Sequence, residues 1–233
     1  MRCYKIAGLN IDLEAGGRTE KQAAPYAAVS DSPADMTIRV DVARMMELNP
    51  MMNSEELAEY LGTGSRFARQ LLNFQGFMLH SSAVILDGKA YLFSAPSGTG
   101  KSTHTEKWIR LFGAEYLNDD KPALRLIDGV WMAFGTPWSG KHDLSKPTGV
   151  PLGGIAVLQR GEDNTIQPMD AAEALPFLMS QTAYRLSATQ MDKLLVLLDD
   201  LLRRVPVWEL YCRNEDAAAH VSYSTMTERQ GGI

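Results

Sequence analysis

The sequence has little cysteine, no excess of positive charge and no long apolar run. Its two cysteines, Cys3 and Cys212, are too few to form a disulfide framework and lack metal-site spacing. We therefore expect a protein of a reducing compartment. Lysine and arginine number 23 against 28 aspartates and glutamates, so the formal net charge is -5. That balance argues against a broad basic surface for nucleic acid or anionic lipid, and an anionic ligand must be bound locally.

No stretch approaches the ~18 consecutive apolar residues of a membrane span, and the first residues, MRCYKIAGLNIDLE, lack the apolar core of a signal peptide. These absences predict a cytoplasmic protein without nucleic-acid or membrane partners. What is present, 233 residues with 45% hydrophobic and 22% charged side chains, is ordinary for one globular domain with a smaller appendage.

The first 76 residues read as a strand-and-helix region that precedes a larger part, residues 77–233. Short alternating runs such as MTIRVDV (residues 36–42) predict a few strands with turns. From residue 53 the spacing becomes helical, with Asn53 or Ser54 as the cap. We expect Gly62 and Gly64 to break this stretch into two helices.

The most informative stretch is SAPSGTGKST, residues 94–103, called the glycine-rich segment below. Two apolar runs joined at Asp87-Gly88 predict a hairpin whose second strand leads into it. The residues after it suit a helix that ends at Gly113. Strand, glycine-rich loop and helix in this order are the context that a phosphate-binding loop requires.

The composition of this segment suits a nucleotide's phosphates. Glycines leave backbone N–H groups bare, and the following helix adds the positive end of its dipole. Lys101 would reach the β- and γ-phosphates, and the Ser102 hydroxyl would bind magnesium. The pattern departs from G-x-x-x-x-G-K-[ST] because Ala95 stands at the first glycine, and a flexible surface loop is the alternative. The predicted nucleotide-binding residues are Ser97, Gly98, Thr99, Gly100, Lys101, Ser102 and Thr103.

Two adjacent acids follow the predicted helix. In AEYLNDDKPALR a short strand ends at Asp119 and Asp120. One carboxylate could hold magnesium while the other accepts a proton from an attacking hydroxyl. The alternative is an Asx-type turn, in which Asn118 and Asp119 bond their own backbone ahead of Pro122.

Three pieces together resemble a known family. The glycine-rich segment, LHSSAVIL (residues 79–86) and AEYLNDDKPALR are similar to the HPr kinase/phosphorylase catalytic domain and to the loop of ATP-dependent phosphoenolpyruvate carboxykinases. The resemblance covers roughly residues 77–165. It implies an α/β fold, a mixed-sheet P-loop domain, here with a small N-terminal α+β region. It also implies ATP and Mg²⁺ as cofactors and an assembly of identical subunits.

The same resemblance assigns roles to the acids. It implies that Asp119 is the base, that Asp120 holds magnesium with Ser102, and that His80 orients or tunes Asp119. A structural histidine at the start of a strand is the equally open interpretation of His80.

Two further cations are candidates for stabilising charge. Lys141 lies in an irregular glycine- and proline-rich stretch, residues 135–151, of a length that is usually functional or disordered. Arg160 ends an apolar strand, from which it could reach phosphates. For both, a solvated side chain is an equally open interpretation.

These features predict an ATP- and Mg²⁺-dependent kinase that phosphorylates a hydroxyl, with a serine of a peptide or protein as the expected acceptor. Two alternatives stay open: a nucleotide-binding sensor or peptide-docking module without turnover, and a small-molecule kinase.

Overall fold

The computed structural model describes residues 2–140, 142–182 and 185–228. These residues contain twelve strands in two sheets and seven α-helices. The smaller sheet belongs to the first part of the chain. An antiparallel hairpin pairs β1 with β2, and β3 adds to β2 in parallel. The strands of this sheet and the helices that follow the hairpin are β1 Arg2–Ile6, β2 Leu9–Leu13, α1 Gly17–Ala23, β3 Met36–Ile38, α2 Val42–Leu48 and α3 Glu55–Leu71.

The predicted break at Gly62 and Gly64 is wrong, because α3 runs without interruption. Ser54 caps it by accepting a hydrogen bond from the Leu57 N–H. A Cβ at Gly62 would lie 2.7 Å from Val40 Cγ1, and one at Gly64 would lie 2.8 Å from Trp138 Cδ1. Both glycines therefore allow close tertiary packing and do not end the helix.

The larger sheet is mixed and curled, and it runs in the order β4-β8-β9-β10-β6-β5-β7, with β12 and then β11 added beside β10. The strand β10 pairs in parallel with β6 and β12 and antiparallel with β9. The strands are β4 Gly76–Met78, β5 Ser81–Leu86, β6 Lys89–Ser94, β7 Glu115–Asn118, β8 Ala123–Ile127, β9 Val130–Phe134, β10 Gly149–Arg160, β11 Thr165–Pro168 and β12 Val207–Cys212.

Helices cover both faces of this sheet. One face packs on α5 and α6 through residues such as Leu92, Leu178 and Leu198. The other face packs on α4 and α7, where Phe93 meets Trp108 at 5.1 Å between ring centroids. Neighbours such as Leu92 and Phe93 face opposite layers because side chains alternate along a strand. The helices are α4 Lys101–Phe112, α5 Ala171–Gln181, α6 Ala188–Arg204 and α7 Asp216–Thr227.

The strand register brings three chain segments to one edge of the sheet. Ser94, the last residue of β6, lies opposite Ser81, the first residue of β5. Asn118, the last residue of β7, lies opposite Ala83. Since β6 and β7 both run antiparallel to β5, the loops after both strands leave the sheet where β5 begins. This edge therefore holds the glycine-rich segment, the Asp119–Asp120 pair and His80.

The helices in the described part of the chain include none with the length and apolarity needed to cross a membrane.

Candidate functional site

The glycine-rich segment joins β6 to α4 as the sequence predicts. Gly98 has φ 79° and Gly100 has φ 116°, in the left-handed region that favours glycine. Thr99 fixes the turn by donating from its hydroxyl to the Pro96 carbonyl at 2.9 Å. The helix α4 begins at Lys101, and no side chain caps its first turn at Gly100. The first N–H groups of α4 are thus available to an anion, with Ser102 and Thr103 beside them.

The Lys101 ammonium lies folded against this loop. Its Nζ donates to the Ala95 carbonyl at 2.8 Å and to the Pro96 carbonyl at 3.4 Å. Burial lowers the pKa of Lys101, and the nearby Asp120 carboxylate acts in the opposite direction. Lys101 and Asp120 therefore interact electrostatically across the site.

Asn118 makes the turn that presents the two acids. Its Oδ1 accepts from the backbone N–H groups of Asp120 at 2.9 Å and Lys121 at 2.6 Å, and its Nδ2 donates to the Thr136 carbonyl at 3.0 Å. The Asx turn considered from the sequence thus exists at Asn118. The Asp119 carboxylate instead accepts the Gly140 N–H across the chain at 2.5 Å.

The two carboxylates have different electrostatic environments. Burial raises the pKa of Asp119, the Gly140 N–H opposes the rise, and the charge of Asp120 adds to it. Burial also acts to raise the pKa of Asp120, but hydrogen bonding to His80 and the ion pair with the Lys121 ammonium outweigh burial and lower it to about 2. Neighbouring acids whose pKa values are pushed apart suit one proton-accepting role and one permanently ionised role.

His80 lies beside Asp120 and not beside Asp119. Its Nε2 is 3.3 Å from Asp120 Oδ1, and its Nδ1 is 3.1 Å from Gln181 Oε1. The imidazole, one residue ahead of β5, thus contacts the second acid and not the predicted base, and the expectation that His80 orients or tunes Asp119 stays a prediction. The Ser94 hydroxyl donates to the His80 carbonyl at 2.8 Å, which links the end of β6 to the acid pair.

Arg160 reaches the glycine-rich segment from the end of β10. Its Nη2 donates to the Gly98 carbonyl at 3.1 Å. Lys141 lies outside the described residues, so its predicted role stays a prediction.

A cavity of about 500 Å³ opens beside the glycine-rich segment, along the first turns of α4. Three cations line it, Arg160, Lys107 and Arg213, and Lys107 is held by Asn214 Oδ1 at 2.7 Å. Burial lowers the pKa of His104, which also lines the cavity, to about 3. The cavity wall is therefore positive at neutral pH, although His104 is uncharged.

Among residues 2–140, 142–182 and 185–228, no group of three or more His, Cys, Asp or Glu side chains is placed to hold a metal ion. Magnesium usually takes one or two carboxylates together with substrate phosphates and water. The ionised Asp120 carboxylate and the Ser102 hydroxyl are donors of the type that such a site uses.

Three partners of the acid pair are not predicted from the sequence: Lys121, Gln181 and Gly140. Lys121 directly follows the acids and could have been found from its position. Gln181 and Gly140 come from distant parts of the chain, and only the fold brings them to the site.

No family model matches the sequence, and no curated protein matches it either. Among solved structures, the fold is distantly similar to the HPr(Ser) kinase/phosphatase from Coxiella burnetii, with 9% sequence identity and a TM-score of 0.39. The match covers 66% of this chain and 99% of that chain. A similarity of this size indicates a distant structural relationship and does not identify an activity.

Proposed function

We propose that this chain is an ATP- and Mg²⁺-dependent kinase that transfers the γ-phosphate to a hydroxyl, with a serine of a peptide or protein as the acceptor. One observation carries the proposal. A glycine-rich segment with its lysine and two acids of opposite pKa shift lie at one sheet edge, and Lys101 and Asp120 interact there.

Each part has a role in phosphoryl transfer. The bare N–H groups at the start of α4, together with Lys101, would bind the β- and γ-phosphates. Asp120 and Ser102 would hold Mg²⁺, which neutralises phosphate charge when bound. Asp119 would accept the proton of the attacking hydroxyl, and a raised pKa makes its carboxylate a stronger base.

The positive cavity would hold the rest of the nucleotide. Its position beside Gly98 and Gly100 places it next to the proposed phosphate site, and its volume suits a ribose and a base. Arg160 would contact phosphate oxygens from the cavity side, in place of its present bond to Gly98.

Replacing Asp119 with asparagine tests this function. The substitution removes the proton acceptor and keeps the shape, so transfer of labelled γ-phosphate should fall by about 100-fold or more. MgATP binding measured by calorimetry should persist. Asp199→Asn, an exposed acid on α6 paired with Arg203, is the matched control and should keep full transfer. Absence of nucleotide binding in the wild-type protein would contradict the proposal.

A nucleotide-binding module without turnover is the second candidate, and one observation favours it. The Lys121 ammonium already pairs with Asp120, the carboxylate that a kinase would use for magnesium. In such a module Asp119→Asn would leave every response to nucleotide unchanged, and the wild-type protein would form no phosphorylated product.

A further inference from the structure

The described residues between β9 and β10, 135–140 and 142–148, are called the β9–β10 loop below and fix Asp119 from two directions. The Gly140 N–H donates to Asp119 Oδ1 at 2.5 Å. The Asp119 N–H donates in turn to the Leu144 carbonyl at 3.0 Å. Both the carboxylate and the backbone of this residue therefore depend on where the loop lies.

Side chains from the first 76 residues hold the loop on either side of Gly140. Arg18 Nη2 donates to the Gly140 carbonyl at 3.2 Å and to the Ser139 carbonyl at 3.4 Å. The Tyr60 hydroxyl donates to the Ser139 carbonyl at 2.5 Å. Gln22 Nε2 donates to the Ser139 hydroxyl at 2.9 Å. Three donors on two helices thus converge on two consecutive residues.

These donors are themselves fixed in place. Tyr60 and Gln22 are each 4% exposed, and the Arg18 guanidinium lies 4.2 Å from the centroid of the Tyr60 ring. The neighbouring Trp138 stacks on Phe67 of α3 with 4.7 Å between ring centroids. Donors locked by packing on regular elements define a geometry more sharply than donors on loops do.

A displacement of Gly140 would move the Asp119 carboxylate as well. A Cβ built on Gly140 would lie 3.0 Å from Asp119 Oδ2, so the loop backbone and the carboxylate are in close contact. The peptide between Ser139 and Gly140 supplies both the carbonyl that Tyr60 and Arg18 bind and the N–H that Asp119 accepts. Rotation of this one peptide would break the bonds on both sides.

We propose that Arg18, Gln22 and Tyr60 are positioning residues, which set the Ser139–Gly140 peptide and through it the orientation of the Asp119 carboxylate. The inference rests on the proposed function, in which Asp119 accepts the proton of the attacking hydroxyl. It gives the first 76 residues a part in the reaction although they lie outside the phosphate site.

The test compares two tyrosines whose hydroxyls donate to different carbonyls of the β9–β10 loop, those of Ser139 and Lys146. Tyr60→Phe removes only the hydroxyl bonded to Ser139 and keeps the ring beside Arg18. Tyr26→Phe is the matched control: it is also buried in the N-terminal region, and its hydroxyl donates to the carbonyl of Lys146 in the same loop at 3.3 Å. Each variant loses a buried hydroxyl that hydrogen-bonds to the β9–β10 loop, so both should lower the melting temperature.

Of the two tyrosine variants, only Tyr60→Phe should lower kcat, by about 10- to 100-fold, since a misplacement of about 1 Å can cost 100-fold. KM for MgATP should stay within about twofold in both variants, because the phosphate site is untouched. In protein labelled with [¹⁵N]glycine, the Gly140 amide signal, identified by its loss in Gly140→Ala, should move upfield in Tyr60→Phe as its hydrogen bond weakens. It should stay in place in Tyr26→Phe.

Arg18 provides a second route in case Tyr60→Phe folds poorly. Arg18→Ala should lower kcat and move the Gly140 signal, and Arg18→Lys should recover part of both changes because the ammonium can still donate to a carbonyl. An unmoved Gly140 signal in Tyr60→Phe and Arg18→Ala, or an equal loss of kcat in Tyr26→Phe, would overturn the inference while the kinase function stands. A wild-type protein without any turnover would overturn both.

Discussion

At the scale of single residues, the surroundings of Lys101, Asp119 and Asp120 define the state of each charged side chain. Asp120 is kept ionised by His80 and Lys121, whereas the pKa of Asp119 is raised by burial. Lys101 holds loop carbonyls through its ammonium, and those carbonyls are neutral acceptors that a phosphate can replace. In the proposed function, the site would exchange these internal bonds for bonds to a phosphate.

Substitution of Lys101 tests this exchange. Lys101→Met keeps the length of the side chain and removes the charge, so the affinity for MgATP in calorimetry should fall by about 10- to 100-fold, the value of a hydrogen bond to a charged group. Lys89→Met, on the exposed end of the β5–β6 hairpin, is the control and should bind MgATP like the wild type. Equal affinities in the two variants would exclude the ammonium from the phosphate site.

At the scale of elements, the parts that local chemistry determines agree with the sequence. The hairpin at Asp87-Gly88 and the end of α4 at Gly113 were predicted, since each needs positive φ, which the chain adopts there. The short strand ending at the acid pair was also predicted. By contrast, Gly62 and Gly64 were misinterpreted because their neighbours Val40 and Trp138 approach only in the folded protein.

The candidate site likewise contains residues that the sequence identifies and contacts that only the fold creates. The sequence identifies Lys101, Asp119 and Asp120, because their residue types and their neighbours in the chain are enough to indicate their chemistry. The bond from Gly140 to Asp119 spans 21 residues, and the one from Tyr60 to Ser139 spans 79. No local pattern encodes contacts of this range, which is why the part played by the N-terminal region could not be predicted.

The packing of α4 on α7 gives the fold a pH dependence. Ser222 of α7 lies 2.8 Å from His104 Nε2 and accepts from Trp108 Nε1 at 2.9 Å. Burial lowers the pKa of His104 to about 3. Below about pH 6.5 the unfolded chain binds a proton at this histidine, and the folded chain does not until about pH 3. The stability contributed by the neutral ring is complete above pH 6.5 and is lost as the pH falls.

The loss should amount to about 1.4 kcal/mol per pH unit between these limits. Urea unfolding at several pH values between 7 and 4 should therefore show a steeper decline for the wild type than for His104→Gln, which keeps an amide donor toward Ser222. His220→Gln, an exposed histidine on α7, should follow the wild type. Parallel curves for the wild type and His104→Gln would show that His104 is not buried in its neutral form.

At the scale of the whole molecule, the two sheets share their interior. The sequence predicts a strand-and-helix region, residues 1–76, packed against a larger part, residues 77–233. The core under the smaller sheet includes Met78, Ala123 and Trp138 from the later part. Arg125 on β8 donates to the Ala7 carbonyl at 2.7 Å and to the Phe74 carbonyl at 3.0 Å. Apolar packing and hydrogen bonds thus both cross the proposed boundary.

Such shared packing predicts one cooperative unfolding transition. Trp138→Phe should lower the free energy of unfolding by about 1 to 3 kcal/mol, because it leaves a gap against Phe67 and Gly64 and removes the bond from Nε1 to Thr63. Far-UV circular dichroism and the fluorescence of the other tryptophans should shift together. These tryptophans lie in the larger sheet and its helices: Trp108, Trp131 and Trp208.

A first transition seen only by circular dichroism would mean that the N-terminal region unfolds alone. The Ser139–Gly140 peptide would then lose its donors before the acid pair does, so turnover should vanish at that first transition while MgATP binding persists.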